Sequence, residues 1–328
     1  MYMQSHPPTQ SSTNTPLVSF IITYYNLPLD MLCNCIDSVM ALSLSRAEKE
    51  IIVVDDGSEH CPMSELMAYC DDIIYLRQPN GGLSAARNIG LSIATGKYIQ
   101  FIDGDDKLIP NVYEQCLDLA RFKDPDMVLF DFTDNDSPKP KVKSITPVDG
   151  TIFMNNNNIH ASAWGYIFKK DILMGLKFSP GILHEDEEFT PQLMLRAEKV
   201  YNTDYKAYFY RRRKDSITTN KDKKHIIKRL NDFESIIIHL HNISTTLPMT
   251  ESTAMQRRVA QLTMDYIYNI ITITKSQNQL STRLERLEKI GLYPLPDRDY
   301  SHKYVWFRRL ANTKVGLYIL RHTLTMVK

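Results

Sequence analysis

Five short apolar runs constrain the fold most: VSFIIT at 18–23, EIIVVDD at 50–56, DIIYL at 72–76, KYIQFID at 97–103 and DMVLFDF at 126–132. Runs of this length, rich in Ile and Val and bounded by Asp, Gly and Pro, suit strands buried on both faces. Helical stretches separate them at about 29–44, 63–70, 83–95 and 111–122, so the order reads βαβαβαβαβ. That order predicts an α/β domain with a mostly parallel central sheet. Ligands of such sheets collect outside the carboxyl ends of the strands. Those ends carry Thr23, Tyr24, Tyr25 and Asn26, then Asp55 and Asp56, then Asp103, Asp105 and Asp106, so polar chemistry gathers on one edge.

Residues 1–16 are rich in Ser, Thr, Gln, Asn and Pro, and predict a disordered tail. After about 133 come the loop DNDSPKPKVK, an Asn run at 155–158 and mixed elements. From Asp222 the chain turns helical, with Ile226, Leu230, Phe233, Ile237 and Leu240 spaced as on one helix face. Further helical segments at about 251–275 and 280–290 make 216–328 an α-helical C-terminal region. In 328 residues, 39 Lys and Arg oppose 38 Asp and Glu, a balance that argues against bulk nucleic-acid binding. The aromatic residues form no stacking ladder either, so no nucleic-acid partner is expected. No run reaches the roughly 18 to 20 apolar residues of a membrane span, and the start lacks a signal-peptide layout, so a cytoplasmic location is expected. Five cysteines without CxxC spacing (Cys33, Cys35, Cys61, Cys70, Cys116) suggest reduced thiols rather than disulfides or a zinc site.

Four motifs offer chemistry. In FIDGDD at 101–106, an apolar strand delivers Asp103, Asp105 and Asp106 into one turn. Acids this close repel one another, and a hard cation with oxygen ligands, Mn2+ or Mg2+, would keep them ionised. The competing reading is an acidic turn that caps the next helix. In IVVDDGS at 52–58, Asp56 is an acceptor suited to a nucleobase or ribose, or else an N-cap or Asx turn. In QPNGGLSAARNIGLSIATG at 78–96, Gly81 and Gly82 turn into a helix bearing Arg87, which suits phosphate oxygens, one of the acids, or solvent. In HEDEEF at 184–189, the acids either serve chemistry or complement the positive end of a helix dipole.

Together VSFIITYYN, IIVVDDGS, PNGGLSAARNIGLSIATGKYIQFIDGDD and HEDEEF stand in the order and spacing typical of family 2 glycosyltransferases, and the chain resembles that family, of bacterial cell-surface polysaccharide type, over about 17–215. The resemblance implies a GT-A nucleotide-diphospho-sugar transferase fold, with a donor half at 17–132 and an acceptor half at 133–215. It implies that Thr23, Tyr25, Asp56, Arg87, Asp103 and Asp105 bind the donor, that Asp105 or Asp106 ligates the metal, and that Asp186 is the catalytic base beside Glu185. Arg211 and Arg213, in YFYRRRKDSIT at 208–218, would close over the diphosphate or else end a solvated strand. Trp164 is either core or an acceptor-sugar platform. Tyr166 stands where family members often carry a Lys, and His184 reads as a structural neighbour of the acids.

The expected reaction is an inverting transfer of sugar from a nucleotide-sugar, a UDP-sugar first, to a hydroxyl of a glycan or lipid-linked saccharide. Asp186 takes the proton, the metal steadies the diphosphate, and the pockets near Thr23 and Asp56 orient the donor. Processive synthases are disfavoured, because the chain lacks their membrane spans and QxxRW motif. Two alternatives stand beside it: a sugar-1-phosphate nucleotidyltransferase, whose basic Gly-rich loop YYNLPLD does not match, and a domain that binds nucleotide-sugar or glycan without turnover. Residues 300–328 mix aromatic and basic side chains, which suits either an anionic membrane surface at the inner face of the cytoplasmic membrane or packing on the catalytic domain.

Overall fold

A computed structural model of the protein describes residues 15–135, 145–213 and 222–326. Most of the tail expected at 1–16, most of the Asp- and Pro-rich loop and the SIT of the basic tract lie outside the described residues. Each expected strand is present: β1 (Val18–Tyr24), β2 (Lys49–Asp55), β3 (Ile73–Arg77), β4 (Tyr98–Asp103) and, after the two-residue β5 (Lys107–Leu108), β6 (Met127–Thr133). Between them lie α1 (Leu29–Met40), α2 (Met63–Leu66), α3 (Leu83–Ile93) and α4 (Pro110–Lys123). After β6 come α5 (Gly150–Asn156), β7 (Tyr166–Lys169), α6 (Glu185–Met194) and β8 (Val200–Phe209).

The eight strands form one sheet in the order β3-β2-β1-β4-β7-β6-β8-β5. Pairs β1–β2, β1–β4 and β2–β3 are parallel, as the βα alternation predicts, and β6–β8, with a strand the alternation does not include, is parallel too. Strand β6 does not lie beside β4, however. Antiparallel β7 is inserted between them, and β5 runs antiparallel to β8 at the edge. Along β1, Val18, Phe20, Ile22 and Tyr24 face a core under α1 and α4, while Ile21 faces a second core under α3 and α6. Both faces are covered, which is why the run is mostly apolar, with Ser19 and Thr23 buried among its apolar residues.

The close seat of α3 depends on Gly90. A Cβ there would lie 2.3 Å from Ile21 Cγ2, on a β-branched side chain that has little room to turn. The C-terminal region is a helical bundle of α7 (Lys223–Thr246), α8 (Met249–Asn269), α9 (Gln277–Lys289), α10 (His302–Ala311) and α11 (Lys314–Met326). Leu230, Phe233, Ile237 and Leu240 line its core, as their spacing predicts. Tyr304, Phe307, Ala311 and Leu320 turn into this same core, so α10 and α11 pack on the bundle rather than on the sheet. Trp306, Val315 and Tyr318 stay exposed. No helix among the described residues is long and apolar enough to cross a membrane.

Gly90→Ala is expected to lower stability by about 1–3 kcal/mol through overpacking against Ile21. A urea midpoint equal to that of the wild type would remove Gly90 from this role.

Candidate active site

The parallel register brings the strand ends level. Thr23 pairs with Asp103 and Tyr24 with Asp55, so the polar ends of β1, β2 and β4 share one edge of the sheet. A surface cavity of about 730 Å³ lies at the opposite end, lined by Leu17, Glu48 and Lys97 just before these strands. Tyr25 is exposed at the acid-bearing edge, and Thr23 is buried.

Asp56 is buried, and its carboxylate accepts the side-chain amide of Gln78 and the backbone N–H groups of Gly81 and Gly82, the latter two at 2.8 Å each. It therefore braces the PNGG turn from 25 residues away instead of forming a local Asx turn or N-cap, with Oδ1 accepting two of these bonds and Oδ2 one. Gly57 (φ +77°) lets the two loops meet, since a Cβ there would lie 2.7 Å from the Asn80 nitrogen.

Arg87 enters from α3 and is 3% exposed. One guanidinium nitrogen donates to Glu185 at 2.7 Å and the other to Asp103 at 3.0 Å, with the Phe101 and Phe178 rings 5.9 and 5.3 Å from its carbon. Burial works against its charge, but Asp103 and Glu185 outweigh it and hold the guanidinium more firmly protonated than usual. Of the possible partners, Arg87 thus meets the acids.

The three aspartates differ in environment. The side chains of Asp103 and Asp105 are 27% and 18% exposed, whereas Asp106 is 1% exposed. Asp105 pairs with Arg213 Nε at 2.6 Å, and its carbonyl accepts from Arg211 Nε at 2.8 Å. Asp106 points inward and accepts the Tyr208 hydroxyl at 2.9 Å and the Arg211 N–H at 2.7 Å. Burial, then the nearby charge of Asp103, pushes its carboxyl up to about 8. Tyr208, which the sequence reading did not single out, also accepts the Asp103 N–H at 3.2 Å. Its ring stacks on Trp164 at 4.4 Å. Trp164 is 8% exposed and belongs to the core, which leaves little of its ring for a sugar.

Helix α6 opens with four acids after His184, which adopts φ +67°. Burial, followed by Glu185 and Glu187, raises the Asp186 carboxyl well above the usual range, with Arg87 opposing. Its Oδ1 accepts the Glu187 N–H at 2.9 Å. Tyr166 is buried, and its hydroxyl lies 2.9 Å from Thr190 Oγ1 on α6, so it anchors the helix instead of offering a basic contact. His184 packs beside Phe233, and burial lowers its imidazole below the ordinary value, in keeping with a structural role. Among the described residues, no three acid, His or Cys side chains come close enough to enclose a metal unaided. The carboxylate of Asp105 still suits a hard cation whose other ligands come from a diphosphate.

Residues 19–169 match the family described as Glycosyl transferase family 2. Over 268 residues the chain is 27% identical to glycosyltransferase GlyA of Streptococcus pneumoniae serotype 4, covering 75% of this chain and 38% of that protein. The chain thus spans well under half the length of that relative. Its fold is similar to S. aureus TarS 1-349 in complex with UDP-GlcNAc, with a TM-score of 0.67, 16% identity, and 94% of this chain and 90% of that chain covered. It is also similar to the mannosyltransferase PcManGT from Pyrobaculum calidifontis in complex with GDP-Man and Mn2+, with a TM-score of 0.54, 13% identity, and 95% and 87% covered.

A carboxyl whose folded pKa lies above its unfolded value favours the native state at low pH. The metal-free protein should therefore lose stability as pH rises from about 4 through about 8, in part through Asp106. Asp103 and Asp186, also raised, act in the same direction. Asp106→Asn should flatten the fall in melting temperature between about pH 5 and pH 8. An unchanged slope would show that Asp106 is not the group titrating.

Proposed function

We propose that the chain is a family 2 glycosyltransferase, on the match of residues 19–169 to that family, and that it moves a sugar from a nucleotide-sugar donor to an acceptor hydroxyl, with inversion at the anomeric carbon. The observation that carries the reading is the Arg87 bridge. One buried guanidinium ties Asp103, at the end of β4, to Glu185, at the start of α6, and so joins the donor-side acids to the candidate base. Residues 17–215 form the catalytic unit and 216–328 its helical extension.

Asp186 takes the proton of the acceptor hydroxyl as the oxygen attacks the anomeric carbon. A raised carboxyl suits that task, because once ionised it is a stronger base. Thr23, the exposed Tyr25 and the turn braced by Asp56 form the nucleotide side, where the Tyr25 ring offers a stacking face. Asp103 faces the ribose and Asp105 holds the metal. Asp106, turned inward on Tyr208, orders the loop, which is why Asp105 is the preferred ligand. When bound, Mn2+ or Mg2+ supplies charge stabilisation to the leaving diphosphate. Arg211 and Arg213 add positive charge beside it. The UDP-GlcNAc and the GDP-Man with Mn2+ held by the two structural neighbours support a nucleotide-sugar donor and a manganese ion.

The acceptor is a glycan or lipid-linked saccharide of a cell-surface polysaccharide, met at the inner face of the cytoplasmic membrane. Trp306, Val315 and Tyr318, exposed beside the exposed Lys303, Arg309 and Lys314, support that contact.

Calorimetric titration with UDP, GDP, CDP and dTDP, with and without Mn2+, is expected to show one nucleotide whose binding strengthens with metal. Asp105→Ala should lose that metal dependence, while Asp186→Asn should keep it and slow transfer by about 100-fold or more. Absence of nucleotide binding would favour a non-catalytic domain, and wild-type transfer by Asp186→Asn would remove it as base. Replacing Trp306 and Tyr318 together by Ser should reduce flotation with anionic liposomes, and equal flotation would end the membrane reading.

A further inference from the structure

We propose that Arg258, on α8 of the helical bundle, is a positioning residue for Asp186: by holding Glu187 it fixes the first turn of α6 and the charge beside the base. The inference rests on the reading of Asp186 as the base.

Successive residues of an α-helix point about 100° apart, so the four acids of α6 face four directions. Glu185 meets Arg87 of α3, Glu187 meets Arg258 of α8, and Glu188 lies 3.4 Å from His239 Nε2 of α7. Among the described residues, Asp186 alone of the four has no cationic side chain within ion-pair distance; its one hydrogen bond is to the Glu187 N–H. The orientation of Asp186 thus depends on where Glu187 is held.

Arg258 is built to hold it. The residue is buried, and its second arm donates to the Ile159 carbonyl at 3.2 Å. One turn of α8 fastens the same segment further: Arg257 donates to the Asn155 carbonyl at 2.6 Å, and Gln261 bonds Asn158. An exposed pair would contribute little, but a buried one leaves an uncompensated charge when either partner is lost.

The charges around Asp186 come from every element packed there. Its own helix supplies Glu185 and Glu187, which raise its carboxyl, and α3 supplies Arg87, which lowers it. Tyr166 of β7 is buried beside it and un-ionised, and His184 is held neutral by burial. From α8 come Arg258 and Asp265, the latter 3.5 Å from Lys303, and from α7 comes His239 on Glu188. Loss of Arg258 therefore leaves the Glu187 charge facing Asp186 uncancelled.

The test is a carboxyl ¹³C NMR titration of full-length protein labelled at Asp, with the Asp186 signal assigned by its loss in Asp186→Asn. Relative to wild type, the Asp186 midpoint should move to higher pH in Arg258→Gln, to lower pH in Glu187→Gln, and stay in place in Arg258→Lys, which keeps the charge. A midpoint in folded Arg258→Gln that matches wild type would overturn the proposal. So would an equal shift in Arg258→Lys, which would assign the effect to packing. Should Arg258→Gln fail to fold, Glu187→Gln decides, because an unmoved midpoint there is equally fatal. The base reading fails separately, through wild-type transfer by Asp186→Asn, and the midpoint shifts stand or fall without it.

Discussion

A guanidinium at 3% exposure keeps its charge only where carboxylates replace the water it has lost, and Arg87 has two of them from opposite sides of the site. Losing one partner leaves a single carboxylate to balance it, and losing both would leave a buried charge uncompensated, where breaking a buried pair costs about 3–5 kcal/mol. The two partners are far apart in the chain, Asp103 on β4 and Glu185 on α6, so the ion pair also joins the parallel part of the sheet to the segment that follows β6. Gly90, one turn further along α3, lets that helix press on β1 closely enough for Arg87 to reach both acids.

The remaining acids arrange themselves around this joint. Asp105 draws Arg213, and Asp106 turns inward on Tyr208, whose hydroxyl also takes the Asp103 N–H. Tyr208 is in turn pressed flat on Trp164. The acidic turn is thus supported from below by an aromatic stack on β8 and β7's approach, and from the side by α3. On α6, the helix dipole favours negative charge in the first turn. Three of the four acids there are also met by basic side chains from α3, α7 and α8, and the bundle thereby reaches the site without forming part of the sheet edge.

Much of this was legible from sequence. The five strands and the helices between them were read within a few residues, because strands covered on both faces must be mostly apolar along their length. β5, β7 and β8 were not: β5 and β7, at two and four residues, carry too little periodicity to stand out, and the place of β7 between β4 and β6 is a matter of pairing that no local run encodes. The acids of the site were found as a set, while their division of labour was not. Asp56 and Asp106 look like free acceptors in a sequence, yet each accepts hydrogen bonds from donors that arrive from elsewhere in the chain. Tyr208 opens the YFYRRRKDSIT tract but, like Arg258, carried no role in the sequence, because the meaning of both lies in contacts across about 100 residues of chain.

The sequence by itself determined which residues are apolar enough to form the sheet, which ends carry acids, and therefore on which edge the chemistry sits. Those properties are local: alternation, run length and side-chain type suffice. Only the tertiary structure decided which acid stays open, which is buried and raised, and which cation each one meets. Burial and Coulomb partners are set by distance in space, and here the distances are closed by residues from α3, β8 and α8 that lie far from the acids in the chain.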